Sequence, residues 1–440
     1  MSKVVIFENR NNHSAAIDIG SRMIYVSCDG VNAESFTSFT GGYRECIEYL
    51  KKHLVQRVCM EATGIYWIAL YEMLEQAGFE VCLVNPKEVK QVKGRKTDVK
   101  DCCWIQKVFS AGLLRKSFIP AGILKELRLL VREREDIIEM GSTYVNKMQK
   151  CLDLMNIKLT PVLSQIQGSS GLAMIEAIVK GERDPAVLLS LCHKTIRQNK
   201  SEDILKALDG HYNESFLFLL EQNLKMWKIH QEHLATIDQK IEDLLLRLSS
   251  GKPEIKSIRK PKAIRHHKPK INDLHQHLLN IYGVDANCLP GITDYTLLRL
   301  LGEVGTDMGR FPTVKHFVSW CQLSPSHSQS GKSQRRVKGR NGSKAGQIFR
   351  VIAQAILNSK NIAIGSFMRK LRGRKDSRIA IKAGARKIAI AFYNLLTKGE
   401  AYVEQGVRCY EERVLHKERL LLAKLAKKHN LQLTQCQQLI

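Results

Sequence analysis

The chain has 440 residues, 44% of them apolar, enough for two or three folded domains and too many for wholesale disorder. Sixty-nine Lys and Arg against 43 Asp and Glu leave a formal charge of +26, an excess that repels itself unless a polyanion neutralises it, and nucleic acid is the usual partner. An anionic membrane is the rival, but no apolar run is long enough to span a bilayer and the N-terminal MSKVVIFENRNNHS lacks an apolar signal core, so a cytoplasmic protein with no membrane partner is expected.

The first 120 residues alternate strand and helix signals. Ala15 to Ile19 is an apolar run broken by Asp18 and ended by Gly20; Met23 to Cys28 is a second strand and Ser35 to Thr40 a weaker third. Gly41-Gly42 opens a helix to about Leu54, and Arg57 to Met60 forms a fourth strand ending at Glu61. Tyr66 to Gln76 is helical, Phe79 to Val84 is a fifth strand, Asn85-Pro86 starts a further helix, and another begins at Thr97-Asp98. Three strands followed by alternating helix and strand is the order of an α/β RNase H-like domain, although other α/β folds give a similar string.

Residues 121–250 change to long helices. Leu124, Leu127, Leu130 and Val131 keep a helical period, as do Leu234, Ile237, Ile241, Leu244, Leu245 and Leu248. The second set is nearly heptad, which fits an antiparallel hairpin, a coiled coil between subunits, or an amphipathic helix packed on its own domain. Residues 251–271 then read as a mobile basic linker that touches phosphate, with Lys252, Lys256, Arg259, Lys260, Lys262, Arg265, Lys268 and Lys270 against Glu254 alone. Residues 272–398 form a second, mostly helical domain, and 399–440 a polar helical tail without an assigned task. The 12 cysteines are scattered, with only Cys102 and Cys103 adjacent and no CxxC or His/Cys cluster of zinc spacing; they read as reduced and structural.

Four acids of the first domain suit metal chemistry. Asp18 lies inside a strand, a costly place for a carboxylate unless it meets a cation or a donor. Glu61 ends the fourth strand, which neighbours the first in an RNase H-like sheet. Asp98 and Asp101 in KTDVKD are three apart at a helix start and share a face. Together such oxygens could hold two hard divalent ions for in-line attack on a phosphodiester. Plainer readings exist for three of them: Asp98 as an N-cap, Asp101 as a first-turn acid, and Glu61 as a solvated strand end. Asp18 alone resists one.

The second domain opens with LPGITDYTLLRLLGEVG from Leu289, a pattern like a helix-hairpin-helix turn that grips phosphate, with Thr293 where the second glycine usually stands. An ordinary helical hairpin fits equally. Between Asp307 and Asp376 the chain has no acid. There Lys332, Arg335, Arg336, Lys338, Arg340 and Lys344 crowd a Gly-rich loop suited to backbone phosphates. Ser330, before Gly331, could act as a nucleophile whose alkoxide the nearby cations stabilise, or simply as a turn residue or phosphate hydrogen-bonder. A base or metal for it would have to come from the first domain.

DIGS at Asp18, EATGIYW at Glu61, NPKEVK followed by KTDVKD, LPGI, and FVSWCQLSP…SGKS together resemble the insertion sequence 110 family of DEDD transposases, whose target and donor sites are chosen by a bridge RNA. The resemblance runs from about Ala15 to Asp101 and from Leu289 to Gln354. It implies a RuvC-like N-terminal domain, a helical coiled-coil region and a C-terminal transposase domain. It also implies that Asp18, Glu61, Asp98 and Asp101 bind magnesium (or manganese), and that Ser330 forms a covalent link to DNA. The site would be composite, within a dimer or tetramer that holds donor DNA, target DNA and a structured noncoding RNA at the bacterial or archaeal nucleoid. Three departures stand out. Gln329-Ser330-Gly331-Lys332 replaces the frequent SSGG, leaving Ser328 or Ser333 as other candidates; Cys102 replaces an alanine after the fourth acid; and Gly342-Ser343 replaces Gly-Asp.

Three other functions are open to such a chain. A RuvC-like two-metal nuclease that hydrolyses branched DNA would share the acids and have no use for Ser330. An actin-like sugar kinase or ATPase needs further phosphate and adenosine loops that the sequence lacks. A non-catalytic nucleic-acid binder explains the charge and leaves Asp18 unexplained.

Overall fold

Small and branched residues over Ser14–Ile19 form β1, a strand covered on both sides, with Asp18 half-buried near its end. The chain is described here by a computed structural model over residues 13–62, 64–86, 98–120, 122–256, 259–325, 327–330, 333–336, 343–359 and 362–431. With β2 (Met23–Ser27), β3 (Glu34–Thr37), β4 (Arg57–Glu61) and β5 (Glu80–Val84), β1 makes a five-stranded mixed sheet of order β3-β2-β1-β4-β5. β1 runs antiparallel to β2 and parallel to β4, and β4 runs parallel to β5. α1 (Thr40–Lys52) and α2 (Trp67–Gln76) supply the helical crossovers that parallel pairing requires. The third strand stops short of the expected Thr40. Gly42 sits where a Cβ would lie 2.3 Å from the Thr37 carbonyl oxygen, so α1 begins hard against the strand end.

Period-two alternation divides the sheet's side chains between two cores. Ala15, Ile17, Ile19, Val58, Met60, Val81 and Leu83 face one way, with Tyr43, Leu50, Leu70 and Leu74 of the two helices packed in the same cluster. Ala16, Cys59, Cys82 and Val84 face the other way and cover Ile105 and Phe109 of α3 (Asp98–Ser110).

The chain divides into two compact units, Met1–Ile119 and Pro120–Ile440. The second is mostly helical. α4 (Ile123–Leu154) is followed by α5 (Leu159–Val162), α6 (Ser169–Val179), α7 (Pro185–Ser190) and α8 (Lys194–Leu208), and then by α9 (Glu214–Ser249). α4 and α9 pack antiparallel within the one chain. Arg134 meets Asp238 and Gly141 meets His230, while Leu152 and Leu220 share a core at one end and Leu127 and Leu245 another at the far end.

The larger core adds α10 (Leu274–Tyr282), α11 (Asp294–Val304), α12 (Val314–Trp320), α13 (Lys344–Ile356), α14 (Ala363–Arg374) and α15 (Ser377–Lys398). α16 (Glu400–Lys428) follows, with Leu415, Leu420, Leu421, Leu422 and Leu425 exposed. Buried charge fixes how α4 meets α11. Arg132 grips the Glu303 carboxylate with two bonds of 2.7 and 2.9 Å, and Arg128 donates to the Gly302 and Glu303 carbonyls that end α11.

The basic segment expected to be mobile is instead pinned. Lys262 donates to the Asn287 carbonyl at 2.8 Å and also to that of Leu289, and Arg259 donates to Glu400 at 2.9 Å. Its charge is partly spent on the protein's own carbonyls and acids.

α13 packs on the end of α12 so closely that a Cβ on Gly346 would lie 2.0 Å from the Cys321 carbonyl oxygen. Gly346→Ala is therefore expected to destabilise the second unit by about 2 kcal/mol or more, because backbone must move. Chemical denaturation should show a lower midpoint.

Candidate active site

The register of β1 on β4 pairs Ala16 with Cys59 and Ile17 with Met60. Continued by one residue, it sets Asp18 beside Glu61, at the ends of adjacent parallel strands. By alternation both belong to the face that carries Ala16 and Cys59, the face covered by α3. Each is half-buried.

α3 runs against β1 in the opposite direction, and two of its side chains mark the alignment. Gln106 donates from Nε2 to the Ser14 and Cys28 carbonyls, each at 3.2 Å. One turn earlier, the Cys102 thiol donates to the Ala16 carbonyl at 3.3 Å and the Tyr25 carbonyl at 3.1 Å. Four helical residues rise about 6 Å and two strand residues about 6.6 Å, so the two ladders stay in step. The next turn back from Cys102 is position 98, and the next inward strand residue after Ala16 is Asp18. Asp101 lies one turn before Ile105 on the same buried stripe and is itself half-buried. The side chain of Asp98 lies outside the described residues. Among the described residues no three His, Cys, Asp or Glu side chains form a metal-holding group.

Gln106 and Cys102 tie α3 to β1, a role that the sequence pattern does not give Gln106 and that makes Cys102 more than a structural thiol. Its one trace in sequence is the four-residue spacing 98, 102, 106, which continues the acid's face down the helix. Burial pushes the Cys102 thiol well above its usual range. Burial likewise pushes Cys46 up to about 12 and Cys28 to about 11. These thiols stay protonated at pH 8 and are poor nucleophiles. Iodoacetamide at pH 8 should leave Cys46 and Cys102 unmodified in native protein and label both after denaturation, as peptide mass spectrometry would read.

In the second unit, β6 (His327–Ser330) and β7 (Ser333–Arg336) form an antiparallel hairpin. The Gly-rich composition predicts a loop here, and the structure forms a hairpin instead. Ser330 ends β6 and pairs with Ser333, so the link between strands is the two residues Gly331 and Lys332. A two-residue Gly-x link is a known hairpin signal. The flanking strands have no apolar alternation to reinforce it. The register places Ser328, Ser330, Ser333 and Arg335 on one face of the ribbon and His327, Gln329, Gln334 and Arg336 on the other. Lys332, Lys338 and Arg340 lie outside the described residues, as do the side chains of Ser330, Arg335 and Arg336. Lys344 is exposed on the first residue of α13, and Ser343 caps that helix by accepting from the Gly346 amide at 3.0 Å.

The Pro-Gly turn lies just before α11. Gly291, at φ +74°, packs under Ile352 and Ile356. Thr293 is the N-cap, closing a capping box with Thr296. Asp294, the first residue of the helix, is buried, and His275 contacts its carboxylate at 2.9 Å.

No helix among the described residues is long and apolar enough to cross a membrane. Two family models match the chain. A transposase model of the IS110 DEDD type covers residues 15–157, and the model described as Transposase IS116/IS110/IS902 family covers residues 287–365. No curated protein matches it. The first match contains the sheet, Asp18, Glu61 and the α3 acids, and the second contains the Pro-Gly turn and the Ser330 hairpin, so the chain belongs to the IS110 family of transposases.

Proposed function

We propose that this transposase cuts and rejoins insertion-sequence DNA through a serine–DNA ester, with an RNase H-like (RuvC-like) first unit holding divalent metal on Asp18, Glu61, Asp98 and Asp101. The observation that carries the reading is the double register around Asp18: Glu61 beside it on β4, and position 98 one helical turn beyond the Cys102 bond to β1. The sheet order β3-β2-β1-β4-β5 supports it. Carboxylate oxygens are the hard donors that magnesium or manganese takes, and half-buried positions let such donors be both desolvated and reachable. Bound there, magnesium would neutralise charge on a scissile phosphate and orient it.

Ser330 supplies the nucleophile. Its Oγ forms a bond to phosphorus as the phosphorus–sugar oxygen bond breaks, and the hydroxyl proton passes to the departing sugar oxygen. One phosphate ester replaces another, so the bond energy is kept for rejoining without ATP. Arg335, paired with Ser328 in the same hairpin, together with Lys332, Arg336, Lys338, Arg340 and Lys344, holds the backbone phosphates. A structured bridge RNA selects donor and target, and the working particle is a homo-oligomer at the nucleoid. This load of polyanion accounts for a charge of +26.

The test incubates purified protein with the element's noncoding RNA, magnesium and labelled donor and target DNA. A denaturation-resistant adduct that maps to Ser330 by mass spectrometry is expected. Magnesium-dependent cutting without an adduct, under conditions proven to trap one, would replace this reading with a hydrolytic RuvC-like nuclease.

A further inference from the structure

Within the second unit a cavity of about 320 Å³ opens between α4, α9 and the basic segment near residue 267. Its floor is an ion pair, Arg134 with Asp238, each side chain only 2% exposed. Arg134 donates from Nε to Asp238 at 2.5 Å and from Nη2 to the His267 carbonyl at 3.1 Å. Its Nη1 is buried and has no hydrogen-bond partner. The guanidinium also lies over the Tyr295 ring, 4.8 Å from its centroid, so this cation is held by the protein as a fixed positive floor to the cavity.

The rim is cationic. Arg265, Lys268 and Lys270 line the cavity with exposed side chains, and none of them pairs with a carboxylate among the described residues. Asp238 is the one acid of the lining, and it is already used by Arg134 and by the Lys270 amide, which donates to it at 2.8 Å. The rim is also held in shape. His267 sits at φ +53°, a left-handed conformation uncommon for a residue with a side chain. The Arg134 bond to its carbonyl and the Lys270 bond to Asp238 hold that conformation. Half-buried Trp227 of α9 also lines the space, as does Gln165, whose amide lies 3.1 Å from the His266 ring nitrogen.

A cationic rim, an indole and side-chain amides around a space of this volume match a nucleotide. Lys and Arg take the phosphate, the indole stacks on a base, and an amide reads a base edge. The geometry points to a binding site for one unpaired nucleotide here, its phosphate at Arg265, Lys268 and Lys270 and its base against Trp227. The volume is at the lower end of the roughly 300–1,000 Å³ of small-ligand sites, which admits one nucleotide and no paired base. The inference stands apart from the proposed strand exchange, since it uses none of the four acids and not Ser330. The occupant belongs to a single strand or is a free nucleotide.

The experiment uses the full-length protein in EDTA, so that metal-dependent chemistry has no part in the result. A labelled uridine pentanucleotide carrying one 5-iodouridine is bound at physiological salt, photocrosslinked and mapped by mass spectrometry. The crosslink is expected at Trp227. The double substitution Arg265→Glu with Lys268→Glu, both exposed and so harmless to packing, should weaken pentanucleotide binding by about tenfold or more. An equal charge change on α16, Lys424→Glu with Lys427→Glu, should weaken it far less. Uridine monophosphate as competitor identifies the source: full competition at micromolar concentration marks a free-nucleotide site, and none marks a strand site. Equal loss in both double variants, or a crosslink mapped away from this cavity, would overturn the assignment.

Discussion

Asp18→Asn is expected to lower strand exchange on the order of 10³-fold or more, with nucleic-acid binding nearly unchanged. The substitution keeps volume and shape and removes one negative charge from the end of β1. The β1 ladder to β2 and β4 is made of backbone bonds, so the sheet survives. Folding stability without metal should hold or rise slightly, because Asp18 and Glu61 are like charges on adjacent strands. In wild type, adding magnesium should raise the thermal midpoint, since an ion that binds only the native state stabilises it by mass action. In Asp18→Asn most of that rise should vanish. Differential scanning fluorimetry with and without magnesium, run beside a recombination assay, reads both effects. A variant that recombines at the wild-type rate would remove Asp18 from the chemistry.

The first unit was legible because its strands announce themselves twice, by apolar runs and by the turn residues between them. Asp18 stood out because a charge inside such a run has few innocent explanations. Its pairing with Glu61 followed once β1 and β4 were neighbours, and that adjacency comes from topology, which short motifs do not encode. The long helices show the converse. The period of Leu234 to Leu248 named the buried face of α9 without naming what covers it. The pairing within one chain is set by features outside the hydrophobic period, such as Arg134 against Asp238 in a dry interior and Gly141 under His230.

The β6–β7 hairpin looks like a loop in sequence because the strands HSQS and SQRR are polar on both faces, so only a two-residue link betrays them. The basic segment departs from the expected mobile linker for a related reason. Proline and lysine composition signals a solvated connector, but the bonds that hold it end on carbonyls of Asn287 and Leu289, and carbonyls leave no mark in composition.

Ser330→Ala should abolish the protein–DNA adduct and cut recombination by roughly 10⁴-fold or more, the scale seen when a covalent nucleophile is deleted. The hairpin makes the neighbouring serines the necessary controls. Ser328 and Ser333 share the ribbon face of Ser330, one two residues back on β6 and the other its cross-strand partner. If the face alone decided reactivity, any of the three could serve. What singles out Ser330 is its place as the last residue of β6, beside Gly331, where a missing side chain lets a DNA backbone come close. Ser328→Ala and Ser333→Ala should therefore keep the adduct at Ser330, with rates reduced by no more than about tenfold through lost phosphate hydrogen bonds. Folding gives no alternative explanation for a total loss, because the three pairs from His327 to Gln334 remain after a Ser-to-Ala change at the turn. An adduct that moves to Ser333 in the Ser330→Ala protein would mean that the face, and not the residue, is the nucleophile. Unimpaired cutting with no adduct in any of the three variants would mean that water attacks and the hairpin only binds.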